Sequence, residues 1–189
     1  MSTTSAPRPM RADARRNYDR LLAEAETVFV EQGIDAPLEA IARRAGVGIG
    51  TLYRHFPTRL ALQEAVYHDH VVGLAREAHE LARSLPPAEA VREWLRSLAA
   101  YTRAKRGLVE ALKSTLELDS ELFTSCHRQM REAAGVLLAR AQEAGAIRPE
   151  LTGLELLRVS HAIAVASERS EDSGELLLTI MMDGLRPQR

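Results

Sequence analysis

Apolar residues recur along this chain at intervals of three and four almost from end to end, the period of an amphipathic helix. Leu21, Leu22, Ala25, Val28 and Phe29 form the first stripe and predict a helix from residue 11 to Gln32, with Gly33 as its stop. Pro37 suits the first position of a second helix, which carries Leu38, Ile41 and Ala42 inward and ends at Gly46. Gly48, Ile49 and Gly50 open a third, short helix that Pro57 closes. Thr58 can cap a fourth helix reaching Leu85, on the order of 40 Å long at about 1.5 Å per residue.

Breaks at Ser84-Leu85-Pro86-Pro87, Gly107 and Arg148-Pro149 divide the remainder. Val91, Trp94, Leu95, Leu98 and Thr102 line one stripe of a fifth helix, and a short sixth ends near Glu117. Asp119 or Ser120 can cap a long seventh running to Gly145, with Leu122, Phe123, Cys126, Met130, Ala133, Leu137 and Ala141 inside. Thr152-Gly153-Leu154-Glu155 is a capping box that starts the eighth. The last helix runs from Ser173 to Asp183-Gly184. No strand alternation competes, so the expected fold is all-α, about nine helices without internal repeats. Residues 1–10 are expected to be a disordered tail, 11–57 a three-helix head, and 58–189 a helical bundle.

Composition agrees with helices: 46% of residues are hydrophobic but only 4% aromatic. The single Cys126 has no internal disulfide partner, which suits a reducing cytoplasm. No apolar run is long enough for a bilayer span, and no signal-peptide pattern opens the sequence; a cytoplasmic protein without a membrane partner is expected. The net charge of −1 hides an asymmetry. Residues 1–59 carry nine Arg against seven acids, while Arg43 to Arg59 holds four arginines and no acid. A local basic patch on a near-neutral chain suits a reader of specific DNA sites better than a general coater.

The patch coincides with the most informative stretch, Ala42 to Phe56. It has the form helix, tight glycine turn, helix, with hydroxyl, basic and imidazole groups on the second helix. That is a helix-turn-helix, whose second helix lies in the major groove. Gly46 allows the turn, and Gly48 and Gly50 let backbone approach phosphate. Leu52 and Phe56 are expected to point inward, onto Ile41 and Val47. Arg43 and Arg44 fit either a solvated face or phosphate contact. Arg8, Arg11, Arg15 and Arg16 are equally open between a solvated tail and phosphates.

Residues 15–62 resemble the DNA-binding domain of the tetracycline-repressor (TetR) family. The likeness rests on Leu22-x-x-Ala25, Phe29-x-x-x-Gly33, Ile41-Ala42, Ala45-Gly46-Val47 and Gly50-Thr51-Leu52-Tyr53-x-His55-Phe56-x-x-Arg59-x-x-Leu62, in order and at matching spacing. The resemblance implies that Thr51, Tyr53, His55 and Arg59 meet phosphates. Arg54 could reach a guanine edge or the backbone. The chain departs from the family at Ala36-Pro37, where Ser or Thr is common, and at Gly48 and Ile49, where Ser and a basic residue are frequent. Ile49 could touch a thymine methyl. Tyr101-x-x-x-Lys105-Arg106-Gly107-Leu108 is similar to one subgroup.

The resemblance further implies a homodimer on a palindromic double-stranded DNA operator, with 58–189 binding a small-molecule effector and dimerising. The segment Glu175 to Met182 is apolar nearly all round, so it needs burial on two sides, one of them a partner helix. Leu157, Ala164, Leu177, Ile180 and Met181 are the interface candidates. Trp94, Leu98, Tyr101, Phe123, His127, Met130 and His161 are the pocket candidates, each with ordinary core packing as the alternative. No enzyme is expected: Cys126-His127 and His68-x-His70 splay on a helix, and no metal-ligand spacing or phosphate loop occurs, so neither cofactor nor metal is expected. The expected role is a ligand-responsive repressor; the alternative is a protein of this fold that has lost operator binding and serves as an adaptor or ligand carrier.

Overall fold

The computed structural model describes residues 8–104, 106–117, 120–167 and 171–187. The expected tail up to residue 7, Lys105, the alternative cap Asp119 and the side chains of Arg8 and Arg11 lie outside the described residues. Within them the chain is all-α, with nine helices: α1 (Arg8–Gln32), α2 (Leu38–Arg44), α3 (Ile49–His55), α4 (Arg59–Ser84), α5 (Pro87–Ala104), α6 (Arg106–Thr115), α7 (Glu121–Glu143), α8 (Gly153–Ala166) and α9 (Glu171–Gly184). The period-3.6 pattern therefore locates every helix, with small shifts at the ends. α1 begins three residues earlier than expected, inside the supposed tail. Pro37 is the N-cap of α2 and not its first residue, because its ψ of 131° is still extended.

The chain divides into two compact units. The first runs to Asp69 and adds Gly107–Thr115; the second holds His70–Arg106 and Leu116–Arg189. This differs from a cut at 57/58, since Leu62, Val66 and Tyr67 of α4 are buried in the first unit, as are Leu108 and Leu112 of α6.

In the first unit α1 packs on α2 and α2 on α3. Leu21, Ala25, Val28, Ile41, Leu52 and Phe56 form a core with almost no solvent exposure. The turn between α2 and α3 is closed by backbone bonds from Gly46 N to Arg43 O (3.1 Å) and Val47 N to Ala42 O (3.0 Å). Gly46 has φ +66°, a left-handed geometry in which a side chain is strained.

In the second unit α5, α7 and α8 pack mutually, and α9 lies on α5 and α8. Trp94 is fully buried, and its indole N–H donates to the Leu74 carbonyl at 2.9 Å. Gly153 admits close approach, since a Cβ there would lie 3.1 Å from the Arg131 carbonyl oxygen. The capping box forms as expected, with Thr152 N donating to Glu155 Oε2 at 3.2 Å.

Candidate DNA interface, pocket and dimer face

The exposed face of α3 carries Gly50, Tyr53 and Arg54, spaced i, i+3 and i+4 so that all three point the same way. Ile49, Thr51 and His55 are half-buried on its flanks, and Leu52 and Phe56 anchor it from beneath. Tyr53 is 47% exposed, a large aromatic hydroxyl held out in solvent. Arg54 Nε donates to the Gly50 carbonyl at 3.2 Å and Nη2 approaches Thr51 Oγ1 at 3.4 Å, which draws the guanidinium along the first turn of α3. Gly48 supplies an exposed N-cap with no side chain to shield it. These residues form one polar, donor-rich surface, the form a phosphate-gripping helix needs.

The four arginines of the basic patch divide sharply. Arg43 is exposed, and its guanidinium has no hydrogen bond or ion pair among the described residues. Arg44 is held by two carboxylates of α1, Glu24 at 2.9 Å and Glu31 at 2.5 Å, and these hydrogen bonds, Glu31 first, drive its pKa above the ordinary guanidinium value. Arg59 does not project from the head as the resemblance implied. Its Nη1 donates to the carbonyls of Ile34 (3.0 Å) and Ala36 (2.7 Å), and Gln63 Nε2 adds a bond to Ile34 at 3.3 Å. The turn between α1 and α2 leaves those carbonyls without helix partners, so the start of α4 supplies the donors.

His55 packs its ring against Tyr18 of α1, with centroids 5.9 Å apart, and Tyr18 lies 5.1 Å from Phe56. Burial, then the charge of Asp69, pushes the Tyr18 hydroxyl up from its ordinary value. Tyr18 thus shapes the flank of α3, a role nothing in its own stretch of sequence signals. Arg15 and Arg16 form local pairs with Asp19 and Asp13.

In the second unit a cavity of about 300 Å³ opens between α5, α8 and α9. Leu95, Ala99, Ile163, Leu178 and Met181 give it an apolar wall, and Arg96, Arg103, Ser160 and Glu175 give it polar groups. None of Trp94, Leu98, Tyr101, Phe123, His127, Met130 or His161 lines it. Trp94, Leu98, Phe123 and Met130 are core fillers, and His127 and His161 are exposed. Tyr101 stacks on His70 at 4.2 Å. The cause is helical phase: on α5 the wall uses 95, 96, 99 and 103, the stripe next to the one bearing 94, 98 and 101.

An ion-pair network borders the cavity. Arg96 bridges Glu175 (2.6 Å) and Glu93 (2.5 Å), and Arg92 reaches Thr179 (3.0 Å) and Glu175 (3.6 Å). The Arg96 bonds hold the Glu175 carboxyl below its ordinary range, and Glu175 then Glu93 raise Arg96 in turn.

The expected interface residues fall in different places. Ala164 (1% exposed) and Met181 (9%) face the chain's own core. Leu157 and Leu177 are half-buried. The outward large apolar side chains are Leu154, Val159 and Val165 on α8 and Leu176 (61%) and Ile180 (57%) on α9. Two large aliphatics one turn apart, so open to water on α9, form a stripe that no described residue covers.

Among the described residues, no group of three or more His, Cys, Asp or Glu is placed to hold a metal. No described helix is long and apolar enough to cross a membrane. Cys126 is buried, and desolvation pushes its thiol up to about 11, opposite to the shift of an activated nucleophile.

Comparison with known proteins agrees with this geometry. Residues 21–66 match the model of bacterial regulatory proteins of the tetR family, and residues 86–187 match that of the C-terminal domain of SbtR-like transcriptional regulators. A solved TetR transcriptional regulator from Streptomyces coelicolor is 41% identical, with a TM-score of 0.79, covering 90% of this chain and 99% of that one. A TetR regulatory protein from Mycobacterium vanbaalenii is 37% identical, with a TM-score of 0.78 over 95% of this chain and 100% of that one. The HTH-type transcriptional activator FasR of Mycolicibacterium smegmatis is 36% identical over 110 residues, 58% of this chain and 43% of that protein. The regulator TtgW of Pseudomonas putida is 39% identical over 77 residues, 40% of this chain and 52% of that protein. The chain thus spans about half the length of these curated relatives or less. Helix-turn-helix head, helical second unit and matched family models together make this chain a member of the TetR family of transcriptional regulators.

Proposed function

We propose that the chain is a cytoplasmic, ligand-responsive regulator that binds a palindromic operator as a homodimer and is released by a small-molecule effector. The observation that carries the reading is the exposed face of α3, with Gly50, Tyr53 and Arg54 aligned above a buried Leu52. In this reading Thr51, Tyr53 and the backbone at Gly48 and Gly50 grip phosphate, with Arg43 beside them. Arg54 and Ile49 read bases: a guanidinium suits a guanine edge, and an aliphatic side chain suits a thymine methyl. His55 donates from the rim of the Tyr18 cluster, while Arg44 and Arg59 hold the head in shape.

Two half-sites about one turn apart need two heads at fixed spacing. The outward stripe of Leu154, Val165, Leu176 and Ile180 supports a four-helix interface of α8 and α9 with a second copy. The α5–α8–α9 cavity supports an effector site, and α4 has residues in both units, so it is the natural lever. Coupling of this kind is typically about 1–3 kcal/mol.

Repression is the favoured sign, by occupation of a promoter. The Mycolicibacterium smegmatis relative is named an activator, so the sign is read in the same experiment as binding. Fluorescence anisotropy against DNA upstream of the chain's own gene is expected to show salt-dependent binding of a dimer to one palindrome. In-vitro transcription from that fragment should fall when protein is added. Equal affinity for scrambled DNA would overturn the reading and favour an adaptor or carrier.

A further inference from the structure

We propose that the cavity between α5, α8 and α9 takes a small amphipathic anion, a carboxylate on an apolar tail, with Arg103 as its charge partner. The proposal rests on the regulatory reading above only in calling this anion the effector.

Size comes first. The cavity of about 300 Å³ equals on the order of ten waters' share of liquid volume, room for roughly ten non-hydrogen atoms. Leu95, Ala99, Ile163, Leu178 and Met181 offer such a molecule an apolar wall.

Charge then selects its sign. Arg96 is already matched by Glu175 and Glu93, and Glu175 is further engaged by Arg92. Arg103 differs: it lines the cavity half-buried, and its guanidinium has no hydrogen bond or ion pair to another described residue. A guanidinium withdrawn from water without a partner is costly, and a bound anion relieves that cost. Its planar fork of N–H donors fits a carboxylate with two parallel bonds. A cationic ligand would meet Arg103 and find Glu175 already engaged.

Space beside the guanidinium is kept open by Gly174. A Cβ there would stand 3.7 Å from Arg103 Nη1 and 3.3 Å from both Cβ and Oγ of Ser167. Any side chain at this position would fill the approach to Nη1. An apolar wall, a half-buried cation unmatched among the described residues and a glycine that clears its approach therefore converge on one ligand chemistry.

Isothermal titration of the full chain tests it with three probes of equal tail: octanoate, about ten non-hydrogen atoms in all, 1-octanol and octylamine. Octanoate is expected to bind once per chain, at least about tenfold tighter than 1-octanol, with octylamine weakest. Arg103→Gln should erase the preference for octanoate over octanol while the melting temperature holds, and Arg103→Lys should restore part of it. Ala99→Phe should block both probes by filling the wall. An octanol affinity equal to that of octanoate, or a preference that survives Arg103→Gln, overturns the assignment. The same samples are titrated with operator DNA. DNA binding without octanoate preference removes the site and leaves the regulatory reading. Arg103-dependent octanoate binding on a chain that ignores DNA leaves the site and removes that reading.

Discussion

Arg59 tests whether the basic patch is an electrostatic grip or partly a set of internal fasteners. In Arg59→Met, two hydrogen bonds from a charged donor are lost, to the carbonyls of Ile34 and Ala36. Gln63 still reaches Ile34 at 3.3 Å, so the Ala36 carbonyl is the group left without its donor. Hydrogen bonds to charged groups are worth about 1.5–3 kcal/mol each, and with one acceptor partly retained the loss is about 2–3 kcal/mol. For a chain of this size that lowers the melting temperature by about 4–12 °C.

The two roles separate in the salt dependence of operator binding, measured by anisotropy well below the melting range. A phosphate contact contributes about 0.9 to the slope of log K against log salt, so removing one per head from a dimer flattens the slope by about two. Arg59→Met is expected to leave the slope unchanged while lowering stability. Arg43→Ala, on the exposed arginine, is expected to flatten it by about two with stability intact. An Arg59→Met protein that keeps its melting temperature but loses two from its slope would refute the fastener assignment.

Replacing Ile180 with Asp places a charge in the outward stripe of α9 in both copies; at about 1.5–3 kcal/mol per large side chain, dimer dissociation should rise a hundredfold or more by sedimentation velocity. An unchanged dimer would locate the interface elsewhere. Gly46→Ala forces a side chain into φ +66°, where Arg20 Nη1 at 3.8 Å is in ordinary contact, so only backbone strain of about 1–2 kcal/mol should appear in urea unfolding. A loss near zero would contradict the turn geometry. Native Cys126 should resist iodoacetamide at pH 8 and react once unfolded. Its folded thiol titrates at about 11, above the ordinary value of about 8.5. The unfolded chain therefore holds fewer protons between those values, and the thiol's stabilising effect, full below the lower one, is lost as pH rises through the upper. Cys126→Ala should remove that alkaline slope, and an identical slope in the variant would count against it.

The helix-turn-helix was legible because its determinants are local. Gly46, the capping carbonyl of Gly48, the inward Leu52 and the outward Tyr53 all lie within a few residues, and the helical period alone assigns their faces. The arginines were legible by type and not by role. Nothing adjacent to Arg44 announces Glu24 and Glu31, 20 and 13 residues away, nor do the neighbours of Arg59 announce Ile34 and Ala36. The lining of the α5–α8–α9 cavity was not legible, for a related reason. Large aromatic and sulfur-bearing side chains drew the ligand assignment, but their volume makes them the pieces that fill a core, as Trp94 and Phe123 do. The wall of the α5–α8–α9 cavity uses the small Ala99 and the gap at Gly174, which leave room. α9 misleads phase assignment because its polar stripe, Glu175 and Thr179, is turned onto Arg92 and Arg96 of the same chain while Leu176 and Ile180 face outward.

The division of charge in the head bears on what kind of DNA binder this is. Non-specific affinity grows with the number of free cations that can displace counterions, since each phosphate contact adds to it regardless of sequence. Here Arg44 and Arg59 are engaged by α1 and by the α1–α2 turn, and Arg15 and Arg16 lean on neighbouring aspartates. Among the described residues the exposed cations on and beside α3 without a carboxylate partner are Arg20, Arg43 and Arg54; Arg20 is held by Asn17, and Arg54 is drawn along its own helix. The neutral donors Thr51, Tyr53 and the backbone around Gly48 and Gly50 must then supply much of the grip, and they work only when correctly seated, because a hydrogen bond needs geometry where a charge does not. Engaging arginines internally thus weakens binding to arbitrary DNA more than binding to a fitted site. In the dimer proposed above, it would also make occupancy depend on the spacing of the two heads, because neutral donors grip only where they are correctly seated.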